Sequence, residues 1–308
     1  MLGAPRLPLR HAFALGLLQG PTELLPVSSS AHTTLLPWLA GWRYGELDPR
    51  LRKSFEVALH AGTAAALLLR VPWDRLDSVS GGEQGSDTAS VPRSTGAKLG
   101  CLAAAAISPA LAGYTLGEQI ERRLGSPATI AGGLLAGSVA MIGGELRAGR
   151  SRTASRTDTA SVGKCDPRAP AEAGVRDGLA LGLAQALALA PGVSRSGATI
   201  ATARSRGFSR RDADRLSWQV GLPVIAGAAA LRGSRLVREG VPHELGLPLA
   251  AGAAGAFAST LAATRALRPG RRAALLPACA VYRAALALLV IRRMRDNTNR
   301  HAHADPKK

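Results

Sequence analysis

Apolar residues in this chain fall in long uncharged stretches rather than in the short alternations of a soluble fold. Nineteen residues separate Lys98 from Glu118, 21 separate Arg123 from Glu145 and 20 separate Glu244 from Arg265, with no charge inside any of the three. Each stretch can cross a bilayer core, which takes ~20 helical residues at ~1.5 Å rise. Charge-poor windows predict six spans, near 54–71, 99–117, 125–145, 213–231, 245–266 and 273–292, interrupted by polar connections at 72–98 and 147–176. Two further apolar segments, 12–42 and 178–207, do not fit as spans, because ELLPVSSSAH breaks the first and ALAPGVSRSGAT the second. Both are expected to be re-entrant broken helices, whose freed backbone groups need protein or a water-filled cavity around them. The pattern is that of an all-α polytopic integral membrane protein, and it excludes an ordinary soluble enzyme and a disordered chain.

The two broken segments resemble each other. LGLLQGPTELLPVSSSAH and LGLAQALALAPGVSRSGAT both run L-G-L, Gln, an apolar turn, Pro and a Ser cluster. Each precedes three predicted spans, and an odd number of crossings turns the second copy upside down. The expected organisation is therefore an inverted-topology repeat: a first membrane repeat at 1–147, a polar basic loop at 148–175, a second repeat at 176–293 and a basic tail at 294–308. Such repeats place their sites near the midplane, where the broken helices meet.

Composition changes this picture little. Of 308 residues, 39 are Lys or Arg and 21 Asp or Glu, and the mean hydropathy of +0.08 is an average that hides the segregation of charge. A net charge of +18 would suggest nucleic acid in a soluble protein. Here the basic residues sit in connections and tail, where they suit anionic lipid instead, so no nucleic-acid partner is expected. The 147–176 connection is too polar to build a core and is expected to be solvated, on the cytoplasmic side by its charge. The tail from Arg292 to Lys308 points to the same side for both termini, provided that loop parity agrees. Arg6 and Arg10 before an apolar run imitate a signal peptide, but Gln19, Pro21 and Glu23 follow at once, so the segment reads as mature protein. Cys101, Cys165 and Cys279 have neither disulfide-framework nor zinc spacing.

Gln19 and Glu23 are four apart and share a helical face. A carboxylate within an apolar segment is a functional hypothesis by default; snorkelling to the headgroups is the bland rival. After Pro26, Ser28, Ser29 and Ser30 offer hydroxyls and open a second helical half whose N-terminus suits phosphate, although each could equally be an ordinary N-cap. His32 could move protons near neutral pH, or be a satisfied polar residue. The second copy supplies Ser194, Arg195 and Ser196 between Gly192 and Gly197, glycines that would let backbone approach a ligand. Arg195 is the only charge between Asp177 and Arg204, a cationic fork for a diphosphate or the structural partner of Glu23. Together these residues suit phosphoryl transfer, and leave the substrate open.

At these residues the chain resembles the undecaprenyl-diphosphate phosphatase family, the bacitracin-resistance type of integral-membrane phosphatase. QGPTELLPVSSSAH at 19–32 follows that family's [E/Q]GxTEFLPVSSxGH element, and PGVSRSGATI at 191–200 its PGxSRSGAT element. Supporting matches are SFEVALHAG at 54–62, RDGLALGLAQALAL at 176–189, ADRLSWQVGLPVIAG at 213–227 and VYRAALALLV at 281–290. The resemblance implies hydrolysis of undecaprenyl diphosphate to undecaprenyl phosphate and phosphate in a bacterial plasma membrane, recycling the lipid carrier of cell-wall synthesis. It implies a polyprenyl diphosphate substrate, a divalent cation (Mg²⁺ or Ca²⁺) and a site toward the outer face; a homodimer is compatible with it. Glu23, Ser29, His32 and Arg195 are the implied catalytic residues. Ser28, Ser30, Ser194, Ser196 and Gly197 would bind the phosphates, and Glu23 with Gln19 the metal. The nucleophile stays open between Ser29, His32 and water. Three departures stand out: Gln19 where Glu is frequent, Ala31 where Gly is usual, and His60 where Gln is common. No function attaches to the two polar connections.

Rival readings differ in testable ways. A lipid flippase or secondary transporter shares the inverted repeat and broken helices, yet needs no hydroxyl beside a proton carrier and predicts no phosphate release. The acid-phosphatase-like membrane lipid phosphatases need a His six residues after a Ser-Arg arginine. Here that place holds Ala201 after Arg195, Asp212 after Arg206 and Leu216 after Arg210. A purely structural membrane protein leaves Glu23 and Arg195 with no reason to be buried.

Overall fold

The apolar windows fall on helices, the last of them on two, and both broken segments are pairs of helices. The computed structural model describes residues 7–70, 95–157, 168, 170–240, 245–267 and 270–304. In the first half, α1 (Leu9–Leu24) and α2 (Ser29–Leu39) are followed by a 3₁₀ turn (Arg43–Glu46), α3 (Pro49–Arg70), α4 (Thr95–Leu124) and α5 (Pro127–Thr157). A 3₁₀ turn (Pro170–Glu172) leads to α6 (Val175–Leu187), α7 (Arg195–Ser205), α8 (Arg210–Glu239), α9 (Gly246–Ala266), the short α10 (Arg271–Ala274) and α11 (Leu276–Ala304). No strand occurs among the described residues beyond one isolated bridge, Arg168 to Phe208. Three helical segments, Lys98–Leu124, Pro127–Arg150 and Gly246–Ala266, are long and apolar enough to cross a membrane. Outward-facing apolar side chains, among them Phe13, Leu17, Leu179 and Leu183, fit a lipid environment.

Several boundaries differ from expectation for one physical reason: charge ends the membrane-suited part of a helix without ending the helix. α5 continues to Thr157, so the first ten residues of the expected loop after Arg147 are helical, as is the tail through Ala304. The last window splits, with α10 ending at Ala274 and α11 starting at Leu276. Most of the 72–98 connection and residues 158–167 lie outside the described residues.

α1 lies along α9, which also packs on α3, while α6 lies along α4; α5 packs on both α7 and α11. The contacts that bring α1 and α6 to their neighbours are glycine-mediated. A Cβ on Gly16 would stand 2.3 Å from the Gly252 carbonyl oxygen, and one on Gly182 2.8 Å from that of Ala104. Gly16 and Gly182 are equivalent positions of the L-G-L repeat. Ser259 of α9 adds a polar tie: its oxygen accepts from the Gly20 N–H at 3.2 Å and lies 3.1 Å from the Gly16 carbonyl that it can donate to. Where lipid supplies no hydrophobic drive between helices, such close backbone approach is the main source of association. Gly16→Leu is therefore expected to cost about 3 kcal/mol or more, read as a lowered melting temperature and loss of the monodisperse peak in detergent.

Ion pairs mark the two ends of the bundle. At one end Glu121 takes Lys53 at 2.8 Å and Arg232 at 3.2 Å. At the other, Glu145 takes Arg204 at 2.7 Å and Arg210 at 2.9 Å, Asp177 binds Arg168 and Arg206, and Asp214 binds Arg272. α8 connects the ends: Arg210 and Arg232 are 22 residues apart, ~33 Å of helix, close to the ~30 Å of a hydrocarbon core. α11 starts beside the Arg272 end and runs away from it, whereas Glu145 of α5 and Asp177 of α6 belong to that end. The C-terminal end of α11 thus lies toward the end opposite to Glu145 and Asp177.

Candidate active site

Local chemistry sets both breaks. Leu25, forced out of the helical region by Pro26, is extended (φ −77°, ψ 152°) and ends α1. Ser28 then takes φ 76°, the one non-glycine residue with positive φ among the described residues, and α2 begins at Ser29. Backbone strain of this kind, ~1–3 kcal/mol, collects at functional sites. In the second copy Ser194 caps α7 by accepting from the Gly197 N–H at 3.2 Å. The hydroxyl pair Ser28 and Ser30 (3.3 Å) repeats as Ser194 and Ser196 (3.2 Å). Thr33, over the Ser29 and Ser30 carbonyls, repeats as Thr199 over those of Arg195 and Ser196.

The two helix starts meet on one carboxylate. Ser29 Oγ donates to Glu23 Oε2 at 2.6 Å, and Arg195 Nη2 donates to Glu23 Oε1 at 3.2 Å. Only 9% of the Glu23 side chain and 20% of that of Arg195 are exposed, so the pair is largely dry yet reachable. Gly221 of α8 makes room for the guanidinium: a Cβ there would stand 1.9 Å from Arg195 Nη1. Ser196 Oγ donates to the Leu25 carbonyl at 3.3 Å and ties the breaks together. Two positive helix ends plus a guanidinium, balanced by a single carboxylate, are an arrangement whose charge suits an anion.

Gln19 is fully buried, its Nε2 3.5 Å from Glu23 Oε2 and its Oε1 without a hydrogen-bond partner. An orphaned amide oxygen beside a carboxylate is a donor set that fits a hard divalent cation. Both glycines are also closely packed. Gly192 (φ 95°) lies against Ile130 and Leu134 of α5, and the missing Cβ of Gly197 faces Met141; its N–H is taken by Ser194.

His32 stands apart from Ser29. Its Nδ1 is 2.7 Å from the Ser28 carbonyl, which can only accept, so Nδ1 carries the hydrogen. In the neutral ring Nε2 then accepts from the Tyr282 hydroxyl at 2.7 Å. Tyr282 and its neighbour Arg283 are functional candidates that motif reading passed over, although both lie in the VYRAALALLV match. Arg283, fully buried on α11, donates to the Pro26 and Gly192 carbonyls at 3.4 and 2.7 Å and to the Leu134 carbonyl at 3.2 Å. It satisfies carbonyls that the two breaks release from helical bonding. Tyr282→Phe removes one neutral hydrogen bond worth ~1 kcal/mol, and is expected to lower kcat about fivefold with KM unchanged in steady-state kinetics.

A protein-family description, bacitracin resistance protein BacA, matches residues 12–289, through both breaks and all the residues above. The chain belongs to the BacA family. Among similar proteins, the undecaprenyl-diphosphatase of Geobacter metallireducens is 40% identical over 238 residues, 75% of this chain and 78% of the relative. That of Thermomicrobium roseum is 39% identical over 241 residues, 76% and 79% of the two chains. That of Desulforudis audaxviator is 39% identical over 222 residues, 72% and 75%. The BacA match extends to residue 289, so it includes Tyr282 and Arg283 on α11.

Proposed function

We propose that this chain hydrolyses undecaprenyl diphosphate to undecaprenyl phosphate and phosphate in the bacterial plasma membrane, recycling the lipid carrier of peptidoglycan synthesis and conferring bacitracin resistance. The observation that carries this reading is the Ser29 hydroxyl hydrogen-bonded to Glu23, with Arg195 on the same carboxylate. A hydroxyl, its base and a cation at two helix N-termini are the parts of a phosphoryl-transfer site. Ser29 Oγ attacks the terminal phosphorus and its proton passes to Glu23 Oε2. The bond from that phosphorus to the bridging oxygen breaks, and undecaprenyl phosphate leaves. Water then displaces Ser29 from phosphorus, Glu23 returns the proton to Ser29 Oγ, and the proton that water gives passes to His32 Nε2, in place of its bond from Tyr282, and on to solvent. Arg195, with Ser28, Ser30, Ser194 and Ser196 around it, balances the charge on the phosphate oxygens. Glu23 and Gln19 would hold a divalent cation, which when bound adds positive charge beside the reacting phosphate.

Six crossings in an inverted repeat are the arrangement that goes with this site. Three features support it: the L-G-L glycine contacts of α1 on α9 and α6 on α4, the paired serine and threonine bonds at the two breaks, and the opposed ionic ends. A transporter would use the cation and the helix ends, but would have no use for a serine bound to a buried base. Phosphate release from undecaprenyl diphosphate by the full chain in detergent, with Arg195→Ala alongside, tests the reading. Release that depends on Arg195 is expected. A folded sample that releases none across divalent cations and pH would move the function to lipid transport.

A further inference from the structure

Outside the two break motifs, one side chain reaches the site from a third helix. His60 of α3 has Nδ1 2.8 Å from the carbonyl oxygen of Glu56, one turn back. A carbonyl accepts only, so Nδ1 carries the hydrogen and the neutral ring keeps its lone pair on Nε2. That nitrogen is 3.9 Å from Glu23 Oε2, too far for a hydrogen bond, and a lone pair facing a carboxylate oxygen calls for positive charge between them. Tying one imidazole nitrogen to a backbone carbonyl is also how ligating histidines are oriented. Gln19, fully buried, has Nε2 3.5 Å from that same oxygen of Glu23 and Oε1 unpartnered, so turning its amide over brings Oε1 to that place, whereas Arg195 occupies the other oxygen. Two donors to one small divalent ion at ~2.1 Å lie between about 3 and 4.2 Å apart, a range that includes 3.9 Å.

We propose that His60 Nε2 joins Glu23 and Gln19 Oε1 as the third protein donor of the divalent-cation site, and that its nitrogen tilts the site toward Co²⁺ or Zn²⁺ over Ca²⁺ and Mg²⁺. The proposal rests on the cation that the phosphatase reading implies. The tilt follows from imidazole's preference for later transition ions, against the all-oxygen sets that suit the alkaline earths.

The test is calorimetric titration of Co²⁺ and, separately, of Ca²⁺ into the full chain in detergent without substrate. Wild type is compared with His60→Ala and His60→Gln, each checked by metal-free melting temperature. Both variants are expected to weaken Co²⁺ tenfold or more, with His60→Gln, which returns an oxygen donor, holding Ca²⁺ within about threefold. Co²⁺ affinity indifferent to His60, or no Co²⁺ binding by wild type, overturns the proposal; a histidine that merely pairs with Glu23 as an imidazolium gives the first result. The same preparations are assayed for phosphate release from undecaprenyl diphosphate. Release with His60-indifferent binding removes this proposal alone, and His60-dependent binding without release removes the phosphatase reading alone.

Discussion

Arg195→Ala is expected to lower kcat for phosphate release by about 10²–10³-fold, the usual cost of removing a donor aimed at developing negative charge. Two opposing effects decide how this variant behaves. In the resting protein Arg195 neutralises Glu23, and breaking a buried pair costs ~3–5 kcal/mol because one charge is stranded. The partial exposure of both groups and the N–H groups of two helix ends reduce that cost, so the protein is expected to fold with a lower melting temperature. On the proposed mechanism the guanidinium faces phosphate oxygens whose charge grows. Arg195→Lys separates the two roles. It keeps the counter-charge, and so the melting temperature, but loses the planar fork that matches a phosphate. Turnover is expected to stay at least tenfold below wild type. Steady-state kinetics and thermal melts of the three proteins check both halves; wild-type kcat in Arg195→Ala would remove Arg195 from the mechanism.

Glu23→Gln is expected to reduce kcat by about 10²–10⁴-fold, the range for loss of a general base. The amide has the shape of the carboxylate: its oxygen can accept from Arg195 while its NH2 group turns to Ser29 and donates to that hydroxyl, so packing around the two breaks is retained. What disappears is the capacity to take the Ser29 proton and the negative charge that offsets Arg195. KM is therefore expected to change little or to fall, since an uncompensated Arg195 binds the diphosphate at least as well. A kcat loss with unchanged or lower KM, in a protein that elutes as wild type, is the expected pattern. A higher KM at unchanged kcat would make Glu23 a binding group only.

Much of this was legible in one dimension. Stretches free of charge for 19 to 21 residues place three of the apolar helices within a few residues, because excluding charge from hydrocarbon is a local demand on composition. The breaks were legible too, since Pro26 acts on its immediate neighbour Leu25 and each serine cluster stands where a helix begins, Ser194 capping the second of them. Helix ends were less so: α5 and α11 run on through arginine-rich sequence, which leaves a membrane but not a helix.

The chain alone therefore determined the membrane-suited helices, the two broken segments, their kinship, and Gln19, Glu23, Ser29, His32 and Arg195 as the residues to watch. The tertiary structure decided which of them act on one another. It set Ser29 and Arg195 on opposite oxygens of Glu23, turned His32 to Tyr282 instead, and brought His60 in from α3. It also gave the carbonyls of both breaks to Arg283 of α11, more than 90 residues from either. The physical reason is range. Helix formation and breaking answer to neighbours within a turn or two, whereas a hydrogen bond between residues 172 or 250 positions apart depends on how whole helices pack. That packing is set by surfaces such as Gly16 on Gly252, whose meaning appears only when both helices are in place.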